Sequence, residues 1–385
     1  MSLNRSDKSN SLIRICIIGN QAFSLLNFRG PLIADMIAIG HEVFAFAPDY
    51  DKDKRTEVRA LGAEPVDYSL SRTGMNPMRD ATDMLRLAFL LRRLKPDITL
   101  GYAIKPVIYG TLAAWLAQVP RRFAMIEGLG YIFTPTEGLE PLKRRLLRVA
   151  VCILYATAFR HANRVFFLNN DDIEVFLKSQ QVSLEKVFHL GGIGVDLDYW
   201  KPAAPVMKPV TFLLAARLLR EKGIVEYAKA AHLIKQKHRN TRFVLLGGLD
   251  TNPGALSRKE IEAWVDKGIL EWPGHVPDVR IWLAQASVFV LPSYREGVPR
   301  STQEAMAMAR PIITTDAPGC RETVIDSENG FLVSVRDAGA LAAAMERFIL
   351  QPELIDTMGQ ASRRIAEERF DVHKINQVIL REMGI

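Results

Sequence analysis

The chain has 385 residues, 48% of them hydrophobic and 24% charged, which is enough for packed cores in about two domains and excludes a disordered chain. Its net charge of +7, from 50 Lys and Arg against 43 Asp and Glu, favours anionic partners but is spread too evenly for a general nucleic-acid binder. The three cysteines stand far apart without a CxxC pair, which argues against a structural zinc site and indicates a reducing compartment.

The N-terminal segment and the lengths of the apolar runs predict where the protein resides. MSLNRSDKSNS is polar and lacks the apolar core of a secretory signal. The longest uncharged apolar run, VAVCILYATAF from Val149, falls well short of the ~20 residues that span a bilayer. We therefore expect a cytoplasmic protein with no membrane span.

The first predicted strand, IRICIIG from Ile13, ends at Gly19 and leads into a helix. Asn20, Gln21 and Ala22 follow the glycine, so GxGxxG is absent, and the chain has no Walker sequence either. A dehydrogenase and a P-loop kinase or ATPase are therefore disfavoured. Gly19 itself is either a plain tight turn or a point where a ligand approaches the backbone closely.

Three acids after the next strand, Asp49, Asp51 and Asp53, form two Asp-x-Asp pairs, a pattern that holds a divalent metal in some enzymes. The basic residues Lys52 and Lys54 lie among them, which favours a solvated loop. We expect no metal site here.

The N-terminal half continues with alternating helices and strands. The pattern predicts a helix near Pro77–Leu94, a strand at DITLGY, and a helix over residues 105–117. The next strand begins RRFAMIEGLGYIF at Arg121, and Glu127 stands where the strand ends. Glu127 is either a residue that contacts a ligand, or an ordinary loop or capping acid.

Residues 141–170 contain no acid, and their apolar residues mostly recur every three to four positions. This predicts an amphipathic basic helix, which carries Lys143, Arg144, Arg145 and Arg148 near its start. Two interpretations stay open: a core helix with a solvated charged turn, or a helix that lies on an anionic membrane surface.

The stretch after Leu190 combines glycines with three prolines and connects two halves of the chain. The second half opens with TFLLAARLLREKGI, a predicted strand followed by Arg217, Lys222 and Gly223. Two cations at the mouth of a strand are suited to bind an anionic group, although a surface Arg and Lys would look the same.

The most informative stretch begins at Ser293 and reads SYREGVPRSTQEAMAMARPIITTD. Its acids, Glu296 and Glu304, lie eight positions apart, but Gly297 and Pro299 break the chain between them, so the first belongs to a loop and the second to a helix. This strand-loop-helix junction faces the carboxyl end of a strand, where open α/β sheets bind ligands.

These residues, continued by EAMAMARPIITTD and NGFLV, resemble the signature of retaining glycosyltransferases of family four. Ala309 stands where that family usually has glycine, and IEGLGYIF resembles a branch that acts on polyprenyl-diphosphate sugars. The resemblance implies an α/β protein of GT-B architecture, with two Rossmann-like doubly wound domains facing a cleft. We expect an N-terminal acceptor-side domain over residues 12–195, a linker over 196–208, a C-terminal donor-binding domain over 209–370, and a final helix over 371–385 that crosses back.

The same resemblance implies roles for individual residues. Arg217 and Lys222 would hold the donor diphosphate, Glu304 the ribose, and Glu296 the transferred sugar. The departing phosphate oxygen would take the acceptor's proton. The expected donor-binding set is Gly19, Arg217, Lys222, Glu296, Gly297, Val298 and Glu304, where Gly297 and Val298 offer backbone N–H groups. The expected catalytic set is Glu127, Arg217, Lys222 and Glu296, in which Glu127 would be the acceptor's base or a hydrogen-bond partner.

The implied function is transfer of a sugar from a nucleotide sugar, with UDP as the expected nucleotide, to a polyprenyl-diphosphate-linked acceptor in cell-surface polysaccharide synthesis. We expect no cofactor, no nucleic-acid partner, and a peripheral position at the inner face of the cell membrane, where Lys143, Arg144, Arg145 and Arg148 would contact anionic lipid. The alternatives are a transferase with a soluble acceptor and a sugar-nucleotide epimerase of the same fold. A glycosidase would also use two carboxylates but would not need the Arg and Lys pair, and a membrane-binding scaffold would need no donor site.

Overall fold

The computed structural model describes residues 12–71, 76–130, 133, 142–250, 252 and 254–385. The described part of the chain forms two parallel sheets, one in each half. The strands of the first sheet are β1 (Arg14–Ile18), β2 (Glu42–Ala47), β3 (Glu64–Asp67), β4 (Ile98–Tyr102), β5 (Arg121–Ile126), β6 (Arg164–Phe167) and β7 (Val187–His189). They lie in the order β3-β2-β1-β4-β5-β6-β7.

The second sheet repeats this arrangement. Its strands are β8 (Val210–Ala215), β9 (Thr241–Leu246), β10 (Glu271–Gly274), β11 (Val288–Leu291), β12 (Ile312–Thr315) and β13 (Gly330–Val333), in the order β10-β9-β8-β11-β12-β13. The strand order reverses between β1 and β4, and again between β8 and β11. Right-handed crossovers then place helices on both faces, and the carboxyl ends of the strands at the two reversal points form the ligand crevices.

Helices alternate with these strands. Those of the first half are α1 (Ala22–Ala38), α2 (Lys52–Ala60), α3 (Pro77–Leu94), α4 (Thr111–Leu116), α5 (Leu142–His161) and α6 (Asn170–Lys178). Those of the second half are α7 (Ile224–Lys237), α8 (Arg258–Asp266), α9 (Arg280–Ala284), α10 (Arg300–Ala307), α11 (Ala338–Leu350), α12 (Glu353–Arg369) and α13 (Val372–Met383).

Local chemistry explains why several of these elements have the bounds predicted for them. In α3, the Asn76 side chain accepts the N–H of Arg79 at 3.2 Å, and Pro77 occupies the first turn, where its missing N–H costs nothing. The helix ends where Lys95 adopts a left-handed φ of 49°. Strand β11 is buried on both faces as an uninterrupted apolar run, which is typical of a parallel sheet.

Two predicted helices differ from the structure. The helix predicted over residues 141–170 ends at His161, because Arg164–Phe167 forms β6 with its apolar side chains inside the sheet core. The helix predicted over residues 105–117 begins as a π-helical turn at Pro106–Gly110 before α4. π-helical turns of this kind are frequent near functional sites.

The last helix, α13, packs against α1 of the first half. Asn376 donates to the carboxylate of Asp35 at 2.7 Å, and the Arg121 guanidinium donates to the carbonyl of Met383 at 3.0 Å. Just before α13, the N–H of Val195 donates to Phe370 and the N–H of Val372 donates to Val195. The end of the chain therefore ties the two halves together.

Candidate active site

The loop between β11 and α10 carries Glu296, Gly297 and Val298, and it is supported by the turn after β12. The N–H of Glu296 donates to the carbonyl of Pro318 at 2.9 Å. Gly319 has a φ of +75°, and a Cβ there would stand 2.3 Å from the carbonyl oxygen of Glu296. Only glycine fits this position. The sequence reasoning missed Gly319, although the turn residues DAPGC were a signal for it.

Lys222 and Glu296 form an ion pair between the loops that follow β8 and β11, with side chains only 15% and 14% exposed. Gly223, at φ +70°, makes this possible, because a Cβ there would lie 2.0 Å from the carbonyl oxygen of Pro292. The N–H of Tyr294 also donates to the carbonyl of Glu221 at 2.9 Å. The predicted diphosphate lysine and the predicted sugar carboxylate are therefore neighbours in one cluster.

Arg217 lies at the carboxyl end of β8 with its guanidinium 55% exposed, and its nearest carboxylate oxygen is that of Asp250 at 3.6 Å. Helix α7 begins at Ile224, next to Lys222, so its N-terminus adds partial positive charge at the same crevice. Two cations and a helix N-terminus together suit a diphosphate.

Glu304 lies in α10, one turn after Arg300, whose Nε donates to its carboxylate at 2.9 Å. Burial raises the pKa of Glu304 to about 7, although the Arg300 guanidinium acts in the opposite direction. A carboxyl group whose pKa is raised to near neutral pH is a candidate functional residue.

A cleft of about 570 Å³ opens beside the carboxyl ends of β9 and β10. It is lined by Gly248, Leu249, Trp272 and His275 among others, and Trp272 donates its indole N–H to the carbonyl of Gly247 at 2.9 Å. A glycine, a leucine and an indole leave room for a flat group in this cleft.

The two halves meet backbone to backbone at Gly128 and Gly297. A Cβ on Gly297 would stand 2.0 Å from the carbonyl oxygen of Glu127, and Gly128 has a φ of +124°. Asn169, at the N-terminus of α6, donates to the carbonyl of Gly297 at 2.6 Å. The sequence reasoning did not find Asn169, whose only local signal is that of a helix cap. Glycine at both contact points is what allows this approach.

Glu127 faces the cleft from the end of β5, and its carboxylate pairs with the buried guanidinium of Arg29. Arg29 in turn lies over the ring of Tyr102, 4.6 Å from its centroid. A Cβ on Gly19 would stand 2.4 Å from the Tyr102 hydroxyl oxygen, so packing on Tyr102 requires the glycine at that position. Close approach of a ligand to Gly19 stays a prediction.

Helix α5 presents its charges differently from the prediction. Arg144 is buried, 8% exposed, which corrects the expectation that it faces a membrane; Arg145 is exposed and Arg148 half-buried. The side chain of Lys143 lies outside the described residues. Large apolar side chains are exposed instead, at fractions from 51% to 69%: Leu142, Leu146, Val149 and Ile153.

The Asp-x-Asp acids near residue 50 have structural partners. Asp49 accepts the N–H of Ala22 at 2.6 Å, and Asp51 caps α2 by accepting the N–H of Lys54 at 2.8 Å. Across the described ranges, no group of three or more His, Cys, Asp or Glu side chains is arranged to hold a metal ion.

Within the same part of the chain, no helix is both long enough and apolar enough to cross a membrane.

Comparison with protein families matches most of the chain in two parts. Residues 14–169 match the model described as "Glycosyl transferase 4-like", and residues 209–351 match "Glycosyl transferases group 1". A Campylobacter jejuni protein described as N,N'-diacetylbacillosaminyl-diphospho-undecaprenol alpha-1,3-N-acetylgalactosaminyltransferase is 30% identical over 345 residues, 86% of this chain and 88% of that protein. An Escherichia coli UDP-Gal:alpha-D-GlcNAc-diphosphoundecaprenol alpha-1,3-galactosyltransferase is 25% identical over 77% of each chain.

Solved structures resemble the whole fold. Anabaena HepE in complex with UDP and glucose superimposes with a TM-score of 0.74 at 17% identity, over 97% of this chain and 99% of that one. Sucrose-phosphate synthase of Thermosynechococcus elongatus gives a TM-score of 0.75 at 18% identity, over 96% and 98%. These likenesses confirm the predicted GT-B architecture.

Proposed function

This chain belongs to the group 1 glycosyltransferases, and on that premise we propose that it transfers a sugar from a UDP-sugar to a sugar linked to a polyprenyl diphosphate. The relatives from C. jejuni and E. coli support this substrate class through their descriptions. The observation that carries the proposal is the contact of Glu127 and Gly128 with Gly297, which brings the carboxyl end of β5 next to the loop that carries Glu296.

In the proposed donor complex, Arg217 and Lys222 bind the diphosphate and Glu304 accepts hydrogen bonds from the ribose hydroxyls. The base occupies the cleft lined by Leu249 and Trp272. None of the hydrogen bonds within the described residues uses the backbone N–H of Gly297 or Val298, so both are free to donate to the donor. Glu296, fixed by Lys222, is placed to accept from hydroxyls of the transferred sugar.

The proposed reaction breaks the bond between the anomeric carbon and the phosphate oxygen and forms a bond from that carbon to the acceptor hydroxyl oxygen. The acceptor approaches on the same face, so the configuration is retained, and its proton passes to the departing phosphate oxygen. The extra negative charge on the nucleoside diphosphate is neutralised by Arg217 and Lys222. Glu127, held by Arg29, acts as a hydrogen-bond acceptor for the incoming sugar.

We propose that α5 contacts the membrane in which the acceptor's lipid lies. We infer that the exposed stripe of Leu142, Leu146, Val149 and Ile153 enters the surface of an anionic membrane at the inner face of the cell membrane. Helix α5 contains no acid, and Arg145 lies beside the stripe, so the charge around it matches anionic headgroups. A membrane partner also explains why four large apolar side chains lie exposed on one helix face.

Release of UDP during incubation with a panel of UDP-sugars tests the proposal, with a synthetic polyprenyl-diphosphate-linked sugar or a soluble methyl glycoside as acceptor. We expect turnover with the lipid-linked acceptor, and Arg217→Ala to lower kcat by roughly 10²-fold, the usual effect of removing one group that stabilises the transition state. Arg364→Ala is the matched control, since Arg364 is also 55% exposed but lies on α12. Turnover with the methyl glycoside alone would indicate a soluble acceptor, and interconversion of the UDP-sugar without transfer would indicate an epimerase.

A further inference from the structure

Helix α1 contains a proline in its interior, Pro31. A regular α-helix would form a hydrogen bond from the N–H of residue 31 to the carbonyl oxygen of Asn27, four positions earlier. Proline has no N–H, so this bond cannot form, and the proline ring also crowds that carbonyl. The sequence therefore leaves the carbonyl of Asn27 without the donor that residue 31 of a regular helix would supply.

The carbonyl of Asn27 accepts a hydrogen bond from the other half of the chain instead. The donor is Nη1 of Arg300, the first residue of α10, whose guanidinium also lies over the ring of Phe28, 5.1 Å from its centroid. Asn27 and Arg300 are 273 positions apart in the sequence. Hydrogen bonds from a charged donor are about twice as strong as those between neutral groups, so this contact offsets part of what Pro31 removes from α1.

Arg300 is fixed between this carbonyl and Glu304. Its Nε donates to the Glu304 carboxylate at 2.9 Å, and the two side chains are only 19% and 17% exposed. An exposed Arg–Glu pair on one helix contributes little, because both long side chains lose rotational freedom to form it. Here the bond to Asn27 and the ring of Phe28 already hold the guanidinium, so the Glu304 carboxylate meets a partner that is fixed in place.

The same turn of α1 also holds the carboxylate at the end of β5. Arg29, two positions after Asn27, pairs with Glu127, and its Nη1 donates to the carbonyl of Phe28 at 2.9 Å. One turn of α1 therefore contacts Glu127 through Arg29 and anchors the partner of Glu304. Carboxylates from both halves of the chain are positioned against the same turn.

A proline that served only the stability of α1 is the alternative explanation. Interior prolines are the most unfavourable residues for a helix, because they remove a hydrogen bond and bend the chain. Alanine at position 31 would make α1 more stable. The proline is therefore explained better by what it frees, the carbonyl that Arg300 uses, than by the helix in which it lies.

We propose that Arg300 is a positioning residue for Glu304, and that Pro31 frees the carbonyl that anchors Arg300 from the N-terminal half. This inference rests on the proposed function, in which Glu304 binds the donor ribose. It adds a contribution of the N-terminal half to donor binding. The anchored guanidinium orders the Glu304 carboxylate before the nucleotide arrives, which reduces the ordering that binding must cause. Nucleotide affinity then depends on the contact between α1 and α10.

Titration calorimetry with UDP at pH 8, above the pKa of about 7 of Glu304, tests the role of Pro31. Pro31→Ala gives α1 back its hydrogen bond, so we expect a higher Tm. The same variant competes with Arg300 for the carbonyl of Asn27, so the Kd of UDP should rise about tenfold, the effect of losing one hydrogen bond from a charged donor. Pro77→Ala, in the first turn of α3, is the matched control and should leave the Kd unchanged.

Arg300→Met tests the other end of the contact. The Kd of UDP should rise at least as much as in Pro31→Ala, and the double variant should bind no more weakly than Arg300→Met, because both changes break one contact. In the transfer assay the donor KM should rise while kcat changes by less than about twofold, since ribose binding is the same in the ground state and the transition state. Arg363→Met is the matched control: Arg363 is also 19% exposed and pairs with Glu367 four positions later, but on α12.

Three results would overturn this inference while the proposed function stands. The first is a parent protein that binds UDP while Pro31→Ala or Arg300→Met keeps its Kd. The second is an additive effect of the two substitutions in the double variant. The third is a fall in Tm together with weaker binding in Pro31→Ala, which would mean that the proline supports the fold. If the parent protein neither binds UDP nor transfers sugar from any UDP-sugar, the proposed function fails and this inference falls with it.

Discussion

Glu296 and Lys222, which were expected to bind different parts of the donor, form one ion pair. Each side chain has its charge partner already in place in the free protein, and both are largely buried. In the proposed donor complex the diphosphate shares the Lys222 ammonium with Glu296, because an ammonium has three N–H donors. Replacing Lys222 would leave the carboxylate of Glu296 without its cation, so its effect would combine two losses.

Glu304 predicts a dependence of donor affinity on pH. Because burial raises its pKa to about 7, about half of the protein is protonated at this residue near neutral pH. In the proposed donor complex the ionised form accepts hydrogen bonds from ribose hydroxyls, so donor affinity should rise with pH until about 7 and then level off, changing by roughly tenfold per pH unit below that point. Titration calorimetry with a UDP-sugar between pH 5.5 and 8.5 measures this, since a diphosphate diester does not itself titrate there. Glu304→Gln should bind with little pH dependence, and an unchanged profile in that variant would contradict the role of Glu304.

The same residue has the opposite effect on stability. A raised pKa means that the folded protein holds this proton more tightly than the unfolded chain, whose value is 4.5. The contribution of Glu304 to stability is therefore lost as pH rises from about 4.5 to 7. Affinity for the donor and stability of the free protein should thus respond to pH in opposite directions, as expected for a group that serves binding.

At the scale of elements, α5 is a helix with two apolar faces. One face packs inside, with Val151, Tyr155, Ala158 and Phe159 buried, and the other exposes the stripe from Leu142 to Ile153. The inner face belongs to the apolar cluster around β5 and β6. The outer face has no such partner within the described chain, which is why a membrane surface is the proposed one.

The stripe on α5 gives a prediction about membranes. Leu146→Gln with Ile153→Gln should reduce binding to vesicles that contain anionic lipid by at least tenfold, because two large side chains no longer leave water. Sedimentation with vesicles at low and moderate salt measures the binding. Leu184→Gln is the control, since Leu184 is 73% exposed in the same half but lies outside α5. Vesicle binding that is absent from the parent protein, or unchanged in the double variant, would argue against a membrane role for α5.

At the scale of the whole molecule, side chains near the donor loop hold the two halves together. Arg295 donates to the carboxylate of Asp172, with side chains only 10% and 1% exposed, and the neighbouring pair of Arg321 and Asp171 lies at 3.0 Å. Asn169 joins the same contact through Gly297. This cluster therefore joins the halves beside the donor loop, in addition to the contacts that α13 makes with the first half.

Removing Arg295 from its buried pair with Asp172 should lower the free energy of unfolding. Arg295→Ala leaves Asp172 buried without its cation, so we expect a loss of about 3–5 kcal/mol in the free energy of unfolding. Arg321→Ala is the matched control: its pair is more exposed, at 37% and 32%, and should contribute about 1 kcal/mol or less. Denaturant titration followed by fluorescence measures both. Equal effects of the two variants would contradict the view that burial makes the Arg295 pair important.

Much of the secondary structure, the family and the architecture of this protein could be predicted from the sequence alone. The bounds of α3, the strands before and after Glu296, and the family signature are local features, since each depends on residues a few positions apart. The predicted family, transferase activity and GT-B architecture are confirmed. Hydrophobic period, caps and turn residues carry this information without reference to the rest of the chain.

Tertiary structure decided the contacts between distant parts and the side of each helix that faces inward. The pairing of Lys222 with Glu296, and of Glu127 with Arg29, depends on how segments that are distant in the chain meet, which no local pattern encodes. For α5 the apolar period predicted an amphipathic helix, but a helix with apolar residues on two faces satisfies that period in either orientation. Packing of Tyr155 and Phe159 against Phe176 chose the inner face, and it turned Arg144 inward and the stripe outward.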